Sequence, residues 1–142
     1  MIARLLVTLF GGIWSVKEKC LMKNRFFSKF YIFLYNYYQF EHGSSVSYKM
    51  KYSEKLIFPR GMKQVVIAED VVFGKNCTVY QQVTIDNCLL KDSKSLGAPK
   101  IGDDCIIYPG AKIIGNIVIG NNVIIGANAV VENDIADNTV VK

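Results

Sequence analysis

The residues of this chain most capable of chemistry are one histidine and four cysteines. The histidine, His42, follows an aromatic-rich segment, and no carboxylate stands at a spacing that would orient it. The sequence therefore favours a structural or helix-capping role for His42 over that of a general base. The cysteines form no Cys-x-x-Cys pair, and none stands near the histidine at the spacing of zinc ligands. We predict neither a metal site nor a disulfide scaffold, and we favour a reducing compartment.

Aliphatic residues return at every sixth position in the second half of the chain. A period of six fits neither a helix nor a hairpin and is typical of a parallel β-helix, in which three hexads make one triangular coil. Cys77 and Cys105 lie in the second inward row, four positions after each of these residues, where a thiol acts as a small hydrophobe. The first row contains Ile67, Phe73, Val79 and Ile85, and then Ile101, Ile107, Ile113, Ile119, Ile125 and Val131.

The interval between Asp86 and Lys100 breaks this period. Residues 85 and 101 are sixteen positions apart, which is not a multiple of six. Part of the segment must therefore leave the regular coil, and the sequence predicts a protruding loop at about residues 86–100.

Residues 1–45 are predicted to form an N-terminal helical segment ahead of a β-helix domain at residues 46–142. Phe26, Phe30, Phe33 and Tyr37 recur at three- and four-residue steps, which indicates a broad apolar helical face. We favour packing of this face against the domain or a neighbouring subunit. The alternative that stays open is peripheral membrane contact through residues 1–40.

The excess of positive charge lies entirely in this segment. Residues 1–40 hold six basic residues against Glu18, and the rest of the chain is balanced. The longest uncharged stretch there, Leu5–Val16, is too short to span a bilayer. No interleaved pattern of basic residues and glycines typical of an RNA-binding sheet is present, so nucleic acid is not a predicted partner.

Four segments carry a resemblance to a known family. They are Val79-Tyr80-Gln81-Gln82-Val83-Thr84-Ile85, Gly97-Ala98-Pro99-Lys100-Ile101-Gly102-Asp103, Gly110-Ala111-Lys112-Ile113-Ile114-Gly115-Asn116 and Ile125-Gly126-Ala127-Asn128-Ala129-Val130-Val131. Over roughly residues 56–141 the chain resembles the hexapeptide-repeat acyltransferases of the serine O-acetyltransferase type, including relatives in bacterial polysaccharide synthesis.

The resemblance implies a fold, an assembly and a co-substrate. The fold is mainly β, a left-handed parallel β-helix with an N-terminal α-helical segment, and the assembly is a cytoplasmic homotrimer. Acetyl-CoA is expected in the groove between two β-helices, where small residues let it approach the backbone. Lys100 and Lys112 are weaker candidates for its phosphates. The small positions that match are Gly110, Ala111, Gly126, Ala127 and Ala129.

The resemblance fails at the family's two catalytic histidine positions, which hold Phe58 and Ala98, and at the neighbouring carboxylate position, which holds Ile57. None of these side chains can accept a proton, so no catalytic residue is assigned. Two hypotheses follow. One is an acetyl-CoA-dependent O-acetyltransferase acting on a hydroxyl of a sugar or small metabolite, in the cytoplasm or at the inner face of the membrane. The other is a catalytically degenerate member that serves as a binding or assembly protein.

Overall fold

The computed structural model describes residues 2–88 and 96–142, where three helices precede a series of short strands. The helices are α1 (Ile2–Leu9), α2 (Ile13–Cys20) and α3 (Arg25–His42). The strands are β1 (Ser45–Val46), β2 (Lys51–Tyr52), β3 (Val66–Ile67), β4 (Val72–Phe73), β5 (Thr78–Val79), β6 (Thr84–Asp86), β7 (Lys100–Ile101), β8 (Ile106–Ile107), β9 (Lys112–Ile114), β10 (Val118–Ile119), β11 (Ile124–Ile125), β12 (Val130–Val131) and β13 (Val140–Val141).

These strands form three parallel sheets, and the chain visits the sheets in turn. Sheet A has the order β1-β3-β6-β9-β12, sheet B the order β2-β4-β7-β10, and sheet C the order β5-β8-β11-β13. Each strand pairs in parallel with strands one coil away. The mainly β architecture with helices at the N-terminus is thus confirmed, and the parallel coils are those of a β-helix.

The hexad rows form the core. Ile67, Ile85 and Ile113 stack in sheet A, and each is buried because its strand alternates one inward and one outward side chain. Cys77 and Cys105 are free thiols buried in the second row, as predicted. The neighbouring Cys105 thiol and burial raise the pKa of Cys77 above its ordinary range. Both cysteines therefore act as core residues.

The β-helix contains one coil that the hexad row did not include. Tyr52 pairs with Phe73, and Ile57 bridges to Thr78, so residues 45–65 make a complete first coil. Val46 pairs with Ile67, which is 21 residues later, whereas Ile113 pairs with Val131, which is 18 residues later. The first coil is therefore three residues longer than a regular one. Because of these extra residues and its aromatic inward positions, the coil does not show the aliphatic period of six.

The predicted interruption at 86–100 lies between sheets A and B. Strand β6 ends at Asp86, and β7 resumes the register by pairing Lys100 with Val72. The neck of the excursion is closed by two backbone hydrogen bonds between Cys88 and Gly97, of 3.0 and 3.3 Å. Residues 89–95 of the predicted loop lie outside the described residues.

The last coil departs from the predicted register in one place. The period of six places Ile135 in the second inward row, but the structure bridges Ile135 to Ile119, which belongs to the first row. The connection from sheet A to sheet B is therefore two residues shorter in this coil. Val141 still pairs with Ile125, so the register of sheet C is kept.

The helices cover the N-terminal end of the β-helix. The amide of Gln39 on α3 donates to the carbonyl of Val46 at 3.1 Å, and the buried Lys17 on α2 donates to the carbonyl of Met50 at 3.0 Å. Trp14 stacks on Phe58, with ring centroids 5.8 Å apart. These contacts satisfy polar groups and cover apolar side chains that an open coil end would expose.

Candidate functional site

The turns from sheet C to sheet A form one edge of the β-helix, which we call corner CA. It consists of residues 80–83, 108–111 and 126–129 and a wider first turn at 59–65. Backbone hydrogen bonds join successive turns, from Gln82 to Lys63, Gly110 to Gln81 and Asn128 to Pro109, at 3.0 to 3.2 Å. Corner CA is therefore a continuous ladder parallel to the axis.

All five small residues singled out in the sequence lie on corner CA, but only two of them reach its surface. Ala111 and Ala129 occupy the inward row and are buried, and Gly110 is buried as well. Gly110 also has a structural reason to be glycine, because its φ is 76° and an added Cβ would meet the side chain of Asn128. Gly126 is half-buried and Ala127 is exposed.

Ala127 offers unpaired backbone groups at this surface. Neither its N–H nor its C=O takes part in a hydrogen bond with the residues that the structure describes. Gln81, at the equivalent turn position two coils earlier, has a side-chain oxygen that is buried without a partner in the described chain. The N–H and C=O of Ala127 therefore supply a donor and an acceptor for a ligand with amide bonds lying along the corner.

Two tyrosines flank the accessible part of corner CA. Tyr80 and Tyr108 occupy the same turn position in successive coils, and their rings are stacked with centroids 5.3 Å apart and planes 4° apart. The equivalent position in the next coil is Gly126, which has no side chain. The tyrosine stack therefore ends beside the small residues.

The family's two histidine positions do not meet within one chain. Phe58 stands at the start of corner CA, in the first coil, and is packed against Trp14. Ala98 follows the excursion between sheets A and B and is half-buried against the core. The two positions lie on different edges of the β-helix, and both hold apolar side chains.

His42 lies at the N-terminal end of corner CA, which the sequence did not predict. Gly43 takes the left-handed conformation at φ 61° and ends α3 there, and the chain turns back toward the coils. The carbonyl of His42 then accepts a hydrogen bond of 2.9 Å from the N–H of Gln64 in the first turn of the corner. The His42 side chain lines a surface depression together with Lys63 and Gln64.

The His42 ring is held in a defined orientation. Its Nδ1 lies 2.8 Å from the carbonyl oxygen of Tyr38, and the ring stacks on that of Tyr38 with centroids 4.1 Å apart. Because a carbonyl can only accept, Nδ1 carries the proton in this contact, and Nε2 carries the free lone pair. The arrangement gives the only histidine an oriented, proton-accepting nitrogen at the same end of corner CA as Phe58.

The two lysines proposed for phosphate contact are separated. Lys112 follows corner CA directly, with Nζ 3.3 Å from the carbonyl of Gly110, whereas Lys100 lies on sheet B. Within residues 2–88 and 96–142, no group of three or more His, Cys, Asp or Glu side chains is arranged to hold a metal ion. In the same part of the chain, no helix is long and apolar enough to cross a bilayer.

Comparison with known proteins gives this geometry a family context. The model for the family described as "Bacterial transferase hexapeptide (six repeats)" matches residues 98–133. A serine acetyltransferase from Staphylococcus aureus is 34% identical over 128 residues, which cover 88% of this chain and 59% of that protein. One from Staphylococcus epidermidis is 32% identical over 138 residues, which cover 95% of this chain and 63% of that protein. The chain thus spans less than two thirds of the length of these relatives.

Solved structures agree with the sequence matches. Serine acetyltransferase isoform 3 from Entamoeba histolytica, in complex with cysteine, superposes with a TM-score of 0.73 at 29% identity and covers 91% of this chain and 45% of that one. The enzyme from Neisseria gonorrhoeae in complex with serine gives 0.72 at 26% identity and covers 90% of this chain and 52% of that one. Residues 98–133 therefore match the hexapeptide repeats of bacterial transferases. In both sequence and fold the chain is serine acetyltransferase-like, as the motifs predicted.

Proposed function

We propose that the protein is an acetyl-CoA-dependent O-acetyltransferase acting on a hydroxyl of a sugar or small metabolite. The observation that carries the proposal is the coincidence, on corner CA, of an exposed small surface with unpaired backbone groups and an oriented histidine nitrogen. The serine acetyltransferase relatives support the class of reaction. Because the family's histidine positions are Phe58 and Ala98, we expect serine to be a poor acceptor.

Acetyl-CoA supplies an acetyl group activated as a thioester. The residues present fit it, because the amide groups of the pantetheine arm match the free N–H and C=O of Ala127, and Gly126 leaves room beside them. We propose that Gly110, Ala111 and Ala129 contribute through the close approach of their backbone, since their side chains are buried. Lys112 is the nearer of the two lysines to this corner and is the better candidate for a phosphate.

His42 is our candidate for the general base. Nε2 would take the proton of the acceptor hydroxyl, while the Tyr38 carbonyl holds the Nδ1 proton and stabilises the ring as it becomes charged. His42 and Phe58 flank the same first turn of corner CA, so the acceptor would enter at the end of the groove that the family uses. Gly110 lies two coils further along, at about 10 Å for an inter-strand spacing near 4.8 Å.

The proposed assembly is a homotrimer of left-handed β-helices in the cytoplasm. Phe58 and Ala98 lie on different edges of one chain, so the positions equivalent to the two family histidines can come together only across a subunit interface. The groove at corner CA would then be closed by the neighbouring subunit, which excludes water from the thioester. The acceptor would be selected by residues near Phe58 and by the excursion at 86–100.

The direct test is release of free thiol from acetyl-CoA in the presence of serine, sugars and nucleotide sugars, each supplied separately. We expect acceptor-dependent release with a saccharide or metabolite hydroxyl and little release with serine. Calorimetric titration with CoA provides a second readout that does not depend on the acceptor. Absence of CoA binding at millimolar ligand, an affinity weaker than about −4 kcal/mol, would reject the acyltransferase proposal.

The apolar contact between Phe58 and Trp14 favours a second candidate function. Because this ring pair fills the usual base position, the protein is alternatively a degenerate member that binds CoA or a partner without turnover. Restoring Ile57→Asp, Phe58→His and Ala98→His together separates the two. If only the base has been lost, the triple variant gains acetyl transfer, by up to about 10²–10⁴-fold. If wild-type activity is already high, the second candidate is rejected.

A further inference from the structure

The helical cap has two faces of opposite character. One face of α3 packs on the first coil through Leu34, Tyr35, Tyr38 and Gln39, all of them buried. The opposite face exposes aromatic side chains, with Phe26, Phe33 and Phe40 at 78%, 68% and 81% exposure. These three residues follow one another at seven-residue intervals, so they lie on one stripe along a helix of 18 residues. The stripe contributes nothing to holding the cap on the β-helix.

Helix α1 lies beside this stripe and extends it. The ring of Phe10, just after α1, contacts the rings of Phe30 and Tyr31 on α3, with centroids 5.9 and 5.6 Å apart. Arg4, near the start of α1, acts electrostatically on Tyr38 near the end of α3, so the two helices run antiparallel. Leu5 and Leu9 of α1 are both exposed. We call the surface formed by Leu5, Leu9, Phe26, Phe30, Phe33 and Phe40 the α1/α3 face.

The exposed charges around this face are mainly positive. Arg4, Lys23, Arg25 and Lys29 are all exposed on the same two helices or next to them. Residues 1–40 contain one carboxylate, Glu18 on α2, and it is paired with Lys55 of the first coil at 3.2 Å. Glu41, near the end of α3, is a second carboxylate beside this surface, but the four basic side chains outnumber it and the rim keeps a net positive charge. Two copies of the face would repel each other, whereas an anionic surface would be attracted.

We propose that the α1/α3 face docks on an anionic lipid membrane, lying in the plane of the interface without crossing it. Exposed phenylalanines and leucines enter the boundary between headgroups and acyl chains, and the basic side chains reach the lipid phosphates. The β-helix is held on the cytoplasmic side, with His42 and the first turn of corner CA at the same end of the molecule as the membrane. An acceptor hydroxyl carried on a lipid would then be presented at that end of the groove.

The test uses the full chain and vesicles of phosphatidylcholine with and without phosphatidylglycerol, without acetyl-CoA or acceptor. We expect co-sedimentation with the anionic vesicles and a decline in binding as salt is raised. The variant Phe26→Ser/Phe33→Ser/Phe40→Ser should lose at least about tenfold in partitioning, because both area and depth of insertion fall. The matched control is Val72→Ser/Val118→Ser/Val130→Ser, which removes three exposed apolar side chains from the β-helix and should bind like the wild type.

A second pair of variants tests the charges and does not alter the apolar stripe. Arg25→Glu/Lys29→Glu should abolish the preference for anionic vesicles, whereas Lys51→Glu/Lys75→Glu on the coils should not. Equal loss in the stripe and control variants would overturn the proposal, and so would binding that is indifferent to lipid charge. Absence of vesicle binding, with an oligomer that dissociates on the phenylalanine substitutions, would assign the face to a second copy. Acetyl transfer is measured with soluble acceptors, so absence of vesicle binding would not contradict the proposed reaction. Absence of acetyl transfer would likewise not contradict membrane docking.

Discussion

At the residue scale, the main finding is where His42 lies. A histidine at the end of a long helix is expected to cap that helix, and His42 does contact the carbonyl of Tyr38. The left-handed Gly43 reverses the chain, however, and thereby brings the same ring to the first turn of corner CA. One contact with a carbonyl thus both stabilises the helix end and leaves Nε2 available to accept a proton.

We predict that His42→Gln lowers kcat for the accepted hydroxyl by about 10²–10⁴-fold and leaves the CoA dissociation constant unchanged. Steady-state kinetics and calorimetry with CoA measure the two quantities. Lys75→Gln, on a distant turn, is the control. A variant with an unchanged kcat would remove His42 from the mechanism.

The exposed backbone of Ala127 can be tested without disturbing the fold. Pro109 occupies the equivalent turn position one coil earlier, so proline is compatible with the backbone conformation there. Ala127→Pro should therefore remove only the free N–H and weaken CoA binding by about tenfold, the value of one hydrogen bond. Ala127→Ser retains the N–H and should bind CoA normally. An unchanged affinity in the proline variant would place the cofactor elsewhere.

At the scale of elements, the helical cap and the coils depend on pH in different ways. Burial raises the pKa of Tyr35, Tyr38 and Tyr52 where the helices meet the first coil, and it raises the pKa of Cys20 to about 11. Each of these groups stabilises the folded state fully when the pH is below its ordinary pKa. That contribution is lost as the pH rises through the raised pKa of the folded state. Lys17 acts in the opposite direction, because burial lowers its pKa. Four groups thus destabilise the cap as pH rises and one stabilises it, so alkali should weaken the cap.

We expect the cap to detach above about pH 10, the ordinary tyrosine value, before the coils unfold. The inward rows of the later coils contain no tyrosine, and the buried Cys77, whose pKa is also raised, gives them a weaker sensitivity than the four groups of the cap. Fluorescence of Trp14 reports the cap, and far-UV circular dichroism reports the strands. In Tyr35→Phe the fluorescence transition should move to higher pH, while Tyr108→Phe on the outer surface should leave it in place. Coincident transitions for both signals would show that the cap and the coils unfold as one unit.

At the scale of the whole molecule, stability comes from stacking each coil on the next. Ile113 is fully buried and pairs with strands on both sides in sheet A. Ile113→Asp should therefore cost several kcal/mol, at least about 3, because it buries an unpaired carboxylate and removes apolar contacts. Val130→Asp puts the same group on the outer face of the neighbouring strand and should be tolerated. Thermal melting compares the two, and light scattering reports whether each variant forms the proposed trimer.

The sequence predicted those parts of the fold that repeat. The row from Ile101 to Val131 revealed the coils because each member has the same environment as its neighbours. The first coil could not be found in this way, because two of its inward positions hold aromatic residues and not aliphatic ones. These residues, Tyr52 and Phe58, pack against Trp14 of helix α2. The shift at Ile135 was also missed. The last coil has a neighbouring coil on one side only, so it can lose two residues without altering the strand pairing of a further coil.

The candidate site was predicted less completely than the fold. The motifs placed five small residues on one edge, but the inward row already implied that Ala111 and Ala129 face the core. The position of His42 depends on a chain reversal and on a hydrogen bond to Gln64, and neither has a sequence period. The unpaired backbone of Ala127 and the stack of Tyr80 on Tyr108 arise from contacts between coils. Such features are properties of the stacked coils and become visible only in three dimensions.

The turns from sheet B to sheet C have a consequence for insertions and deletions. Here each acidic or amide side chain accepts a hydrogen bond from a backbone N–H of the preceding coil, as Asp103 does from Lys75, Asn121 from Asp103 and Asp137 from Asn121, at 2.7 to 2.8 Å. An added residue at this edge would break two such bonds at once. Within residues 2–88 and 96–142, the other two edges carry the three length changes, namely the longer first turn, the excursion after Asp86 and the shortened path to Ile135. Foreign peptides grafted into this scaffold should therefore be accepted at those edges and not at the turns from sheet B to sheet C.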